Sequence, residues 1–158
     1  MRYALVYGLI AGCVVGAIIA AGLALGSEES IFYTIWYGYL VMVVAMTFIF
    51  VGVRRYRDVE KGGVIRFLPA LGMGLAIGAV AVIAYVLTWE LYLATTGYAF
   101  IDQMFAGSSP EALAMRQWYG NPVNRLPTTA TELAPVALVM ALFSAALLRN
   151  PKLLPAKR

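Results

Sequence analysis

YALVYGLIAGCVVGAIIAAGLALG, residues 3–26, carries no charge over about two dozen positions and is punctuated by small side chains. At about 1.5 Å per residue a helix of that length reaches about 36 Å, enough to cross a hydrocarbon core of about 30 Å. Ala4, Gly8, Gly12, Gly16 and Ala20 recur every fourth residue. At helical spacing they make one stripe without bulk, on which another helix backbone can settle closely. The stretch therefore predicts a retained membrane helix with one face shaped for a neighbour. A cleavable signal peptide has a shorter apolar core, about 7–15 residues. Ile10-Ala11-Gly12-Cys13 has the form of a lipoprotein lipobox, yet the residues after Cys13 stay apolar where a lipoprotein would turn polar.

The rest of the chain repeats this character. Of its 158 residues, 62% are hydrophobic and 13% charged, and a soluble domain would carry about twice that charged fraction. Apolar runs at about 31–53, 67–93 and 132–148 predict three further spans in a single integral membrane domain. The fold class expected is an all-α membrane protein: four transmembrane helices, with a short helical segment at about 94–131 outside the membrane between the third and fourth. Ser27-Glu28-Glu29-Ser30 reads as a tight acidic connection, and Arg54 to Gly63 as a polar loop closed by a Gly-Gly turn. Ala70, Gly74 and Gly78 repeat the four-residue spacing of the first span. That predicts the first and third spans as the closest pair, with Ala137, Ala141 and Ala145 as a third small face.

In the 94–131 segment, Phe100, Ile101, Met104 and Phe105 share a helical face. Ser109-Pro110-Glu111 reads as N-cap, first-turn proline and acidic first turn of a second helix, which Gly120 stops. Asn121-Pro122 and Leu126-Pro127 predict an extended return. Thr129 to Glu132 fits a capping box opening the fourth span.

Charge sets the orientation. Arg2, the loop cations Arg54, Arg55, Arg57, Lys61 and Arg66, and then Arg149, Lys152, Lys157 and Arg158 all fall on one side of a four-span chain. The positive-inside bias makes that side, with both termini, cytoplasmic. Basic residues at the ends of apolar runs argue for topology and against a nucleic-acid partner. With no His and only Cys13, the sequence implies no metal site, no internal disulfide and no cofactor.

Several polar stretches carry a resemblance: Val53-Arg54-Arg55-Tyr56-Arg57-Asp58 with Gly62-Gly63, Thr88-Trp89-Glu90-Leu91-Tyr92, Tyr119-Gly120-Asn121-Pro122 with Arg125-Leu126-Pro127, and Glu132-Leu133-Ala134-Pro135-Val136 with Ser144 to Arg149. Over almost its whole length the chain resembles a bacterial four-span family known as domain of unknown function 4199. The resemblance implies the four-span fold and the bacterial inner membrane, which makes residues 94–131 periplasmic. It implies no activity.

Glu90 is the one carboxylate embedded in a span, about 36 Å along the third helix from Arg66; Glu132 lies about 25 Å from Arg149. Read as level with one another, the two could converge on Arg125. Ionisable groups at membrane depth tend to mark sites, and the ordinary alternatives are a hydrated interfacial Glu90 and a capping Glu132. Trp36, Tyr37, Trp89, Tyr92, Trp118 and Tyr119 read as an aromatic belt or as the wall of a site for a lipid or flat apolar ligand. Gly8, Gly12, Gly16, Gly74 and Gly78 are assigned to helix packing. Small size, glycine-rich faces and the lack of a nucleophile set favour a non-enzymatic accessory or assembly subunit acting through helix and lipid contacts. The alternative is a small transporter or channel component with Glu90 and Glu132 at its periplasmic mouth. The partners expected are the bilayer and another membrane protein or a second copy of the chain.

Overall fold

A computed structural model describes residues 1–26, 34–151 and 153–155. The expected acidic connection Ser27–Ser30, the aromatics Phe32 and Tyr33, and the tail residues Lys152, Lys157 and Arg158 lie outside them. Six helices follow in order: α1 (Arg2–Leu25), α2 (Ile35–Glu60), α3 (Phe67–Thr95), α4 (Ala99–Met104), α5 (Pro110–Gly120) and α6 (Pro122–Leu148). Among the described residues four of them, α1, α2, α3 and α6, are long and apolar enough to cross a membrane. The protein is a multi-pass, all-helical membrane protein.

Around the bundle α1 packs on α2 and α3, and α6 packs on the same two; α2 and α3 also meet across the centre. Val15, Met46, Ile49, Ile77 and Leu133 are buried where these four helices converge. The helices come close at several glycines. A methyl at Gly8 would lie 2.5 Å from Val80 Cβ, at Gly12 2.7 Å from Ala84 Cβ, and at Gly16 2.5 Å from Thr88 Cγ2. So α1 runs parallel to α3 with its glycine stripe pressed on the 77–88 part of that helix. The stripe of α3 itself faces elsewhere: methyls at Gly74 and Gly78 would lie 3.0 Å from Ala141 Cβ and 3.1 Å from Ala137 Cβ, both on α6. The two glycine stripes thus do not face each other as their matching spacing suggested. On α3 the Gly74–Gly78 stripe lies nearer the N-terminus and is rotated from the face that meets α1, so one helix serves two close neighbours.

Two boundaries differ from expectation. The loop expected from Arg54 is helical to Glu60, because Arg and Glu favour the helix and Arg54 pairs with Asp58 one turn on, at 3.8 Å. The turn is confined to 61–66, where Gly62 and Gly63 take positive φ (63° and 88°), a conformation glycine adopts without steric cost. Arg57 is also not a loop cation. It is fully buried; its Nε donates to Asp58 Oδ1 (2.7 Å) and its Nη1 to the Leu154 carbonyl (2.9 Å), which ties the segment after α6 to α2.

The second difference is the start of α6. Residues 122–131 are not an extended return; they are the first turns of the helix. Asn121 caps it, accepting the Val123 N–H at Oδ1 (3.0 Å), and Pro122 occupies the first helical position, where no N–H is needed. Pro127 and Pro135 then sit inside the helix at exposed positions, while buried Arg125 and Thr129 hold this stretch against the bundle. Thr129 is therefore no cap, and Glu132 stands about three turns into α6.

Candidate functional site

One register places the polar residues. The antiparallel alignment that sets Gly74 beside Ala141 and Gly78 beside Ala137 continues along α3 and α6. It brings Glu90 beside Arg125 and, lower down, Tyr85 beside Glu132.

Arg125 is 1% exposed and nearly saturated. Its Nε and Nη2 donate to the two oxygens of Glu90 (2.6 and 2.7 Å), and its Nη1 donates to the carbonyls of Tyr119 (3.2 Å) and Gly120 (3.0 Å). Its guanidinium carbon lies 5.3 Å from the centre of the Tyr98 ring. Tyr98, which precedes α4, holds φ of 62°, uncommon for a residue with a side chain. One guanidinium thus fastens α3, α5, α6 and the entry to α4. A fork matched to a carboxylate is the strongest geometry such a pair can take. Breaking one side of a buried pair costs about 3–5 kcal/mol, because the other charge is stranded.

Glu132 does not join this pair. It is seven residues beyond Arg125, about two turns or roughly 10 Å along the helix, too far to share a guanidinium already gripped by Glu90. Its Oε2 instead accepts from Tyr85 Oη at 3.1 Å. No salt bridge to Glu132 exists among the described residues. The expected three-way convergence is thus a two-way clamp with a separate carboxylate below it.

Among α1, α2, α3 and the α4–α5 segment lies a chamber of about 650 Å³. Tyr37, Tyr85, Trp89, Phe100, Tyr119 and Glu132 are among the residues that line it, with apolar surface from Ile19, Leu23 and Met42. Trp89 and Tyr119 are buried, and Trp89 Nε1 donates to Tyr119 Oη at 3.3 Å. Trp89 also stacks on Tyr92 (ring centres 5.4 Å apart) and meets Phe100 edge-on (5.6 Å). These rings form a second small core with Leu93 and Ile101. By contrast Trp36 and Trp118 are exposed, at 82% and 46%. The six aromatics of the sequence reading therefore divide, with Trp36 and Trp118 on the surface, Tyr37, Trp89 and Tyr119 around the chamber, and Tyr92 stacked on Trp89 outside its lining.

Unlike Arg116 and Arg125, the described basic residues of α2 and the turn after it lie at the opposite end. Arg55, Lys61 and Arg66 are exposed there, with Arg54 half-buried, and Tyr3 Oη donates to Glu60 Oε1 (3.1 Å), which joins the start of α1 to the end of α2. Among the described residues no three metal-ligating side chains cluster. The sequence reading gave no role to Tyr85 or Tyr98 and placed Asn121 in the extended return, not at a helix cap. Tyr85 had a signal, a lone hydroxyl inside an apolar run, and Asn121 fits the N-cap preference; Tyr98 had none.

A family model described as "Protein of unknown function (DUF4199)" matches residues 2–150. No curated protein and no solved structure matches the chain.

Proposed function

The chain belongs to the DUF4199 family, and we propose that it is a non-enzymatic accessory or assembly subunit of a bacterial inner membrane, acting through helix and lipid contacts. In this reading both termini and the 61–66 turn are cytoplasmic and the α4–α5 cap is periplasmic. Support for the orientation comes from the exposed Arg55, Lys61 and Arg66 at one end of the bundle. The observation that carries the functional reading is the Arg125 clamp: the guanidinium donates to both Glu90 oxygens and to two backbone carbonyls. Such groups hold a shape and are not poised for proton or group transfer.

The transporter alternative draws on Glu132, a carboxylate beside a chamber at the capped end. Against it, the lining reaches no deeper than Met42, Tyr85 and Glu132. Beneath lie the buried Met46, Ile49, Ile77 and Leu133 and the close Gly74–Ala141 contact. Purification in mild detergent, with identification of what co-purifies, separates the readings. A membrane protein in stoichiometric amount supports the accessory role. A partnerless monomer carrying a bound solute contradicts it and favours transport.

A further inference from the structure

The geometry points to a binding site for a lipophilic organic ammonium ion in the chamber at the capped end, with Glu132 as its counter-charge. Three observations combine. First, among the described residues Glu132 is the only charged side chain lining the chamber, and its one hydrogen-bond partner there is the neutral Tyr85 hydroxyl. Arg125, the cation nearest along α6, is held by Glu90 and two carbonyls and cannot turn to it. Arg116 is paired with Asp102 (2.6 Å) away from the chamber. Second, much of the chamber wall is aromatic: Tyr37, Tyr85, Trp89, Phe100 and Tyr119 line it with Glu132. A cation beside such rings is attracted by their quadrupoles, most strongly when it is weakly hydrated, as an alkylated ammonium is. Third, Ile19, Leu23 and Met42 supply apolar wall for a hydrocarbon body, and a volume of about 650 Å³ falls in the range of small-molecule sites, about 300–1,000 Å³.

The same donor set disfavours an inorganic cation. Calcium takes about six to eight oxygen ligands and magnesium a near-octahedral shell, whereas among the described residues Glu132 is the one carboxylate that lines the chamber. It equally disfavours a neutral lipid chain, which would cover that carboxylate and bring it no counter-charge beyond the Tyr85 hydroxyl bond.

The test uses the whole protein in lipid nanodiscs. With Trp36→Phe and Trp118→Phe, Trp89 is the only indole in the chain, so its emission reports the chamber. Benzyltrimethylammonium is titrated beside its uncharged isostere neopentylbenzene. The expected result is a saturable change with the ammonium compound that weakens about tenfold or more in Glu132→Gln and is retained in Glu132→Asp. The neopentylbenzene response should be the same in all three proteins. Equal ammonium affinity in the parent and Glu132→Gln overturns the proposal, as does a linear, non-saturating response in the parent. If Glu132→Gln does not fold, the parent alone decides: preference for the cation over its isostere supports the site, and equal affinity overturns it.

Discussion

Gly12→Ala adds one methyl where α1 lies against α3. That methyl would run into the Ala81 carbonyl oxygen and come within 2.7 Å of Ala84 Cβ. Neither obstacle can rotate away, since one is backbone and the other is a Cβ, so the helices must separate. Overpacking of this kind costs about 1–3 kcal/mol. Alanine is also a better helix former than glycine by about 1 kcal/mol, which offsets part of the loss. A net destabilisation of about 1–2 kcal/mol is expected. Gly72→Ala on α3 is the internal control, because a methyl there meets nothing within 4 Å. It should keep the propensity gain alone and be stabilised by up to about 1 kcal/mol. The same chemical change should thus move stability in opposite directions at two glycines of one bundle. Reversible unfolding in mixed detergent micelles, followed by circular dichroism, measures both. Equal stabilities for Gly12→Ala and Gly72→Ala would refute the reasoning, and would mean that α1 does not press on α3.

Three further outcomes are expected. In a Cys13→Ser background, an impermeant thiol reagent applied to intact cells should label Ser108→Cys and spare Lys61→Cys; the reverse pattern would invert the proposed orientation. At the start of α6, Asn121→Ala should cost about 1 kcal/mol through loss of the cap. Thr129→Val should be neutral or stabilising, because the buried Thr129 hydroxyl has no hydrogen-bond partner among the described residues; greater damage from Thr129→Val would return the helix start to Thr129.

The spans were legible wherever the apolar runs were unbroken. Residues 3–26 and 67–93 mark α1 and α3 to within a few positions, since length and hydropathy alone decide whether a helix can cross. Helix α5 was legible from Ser109-Pro110-Glu111, and Ser109 Oγ does accept the Ala112 N–H at 3.1 Å. The start of α6 was not, because Pro122 and Pro127 read as breakers and Thr129 to Glu132 offered a competing cap signature. Proline breaks a helix by removing a donor and crowding the preceding turn; at the first position the donor is unneeded, and in membrane helices an interior proline is tolerated. Four-residue spacing states only that a face is small; which stripe meets which helix, Gly8, Gly12 and Gly16 on α3 and Gly74 and Gly78 on Ala141 and Ala137 of α6, is set by the rotation of each helix. The clamp was nearer to hand than the three-way cluster. Glu90 is as far along the chain from Arg66 as Arg125 is from Arg149, so antiparallel helices with level basic ends put Glu90 and Arg125 side by side. Glu132 falls two turns short of that level, which is why it meets Tyr85.

The most direct test of this arrangement is a pair of double-mutant cycles on unfolding stability in detergent. Arg125→Ala is combined once with Glu90→Gln and once with Glu132→Gln. The fork between Arg125 and Glu90 implies a coupling of about 1–3 kcal/mol, whereas Arg125 and Glu132 should add within about 0.5 kcal/mol. A coupling confined to Arg125 and Glu132, or none with Glu90, would contradict the clamp and with it the separation of Glu132 that the chamber's proposed chemistry requires.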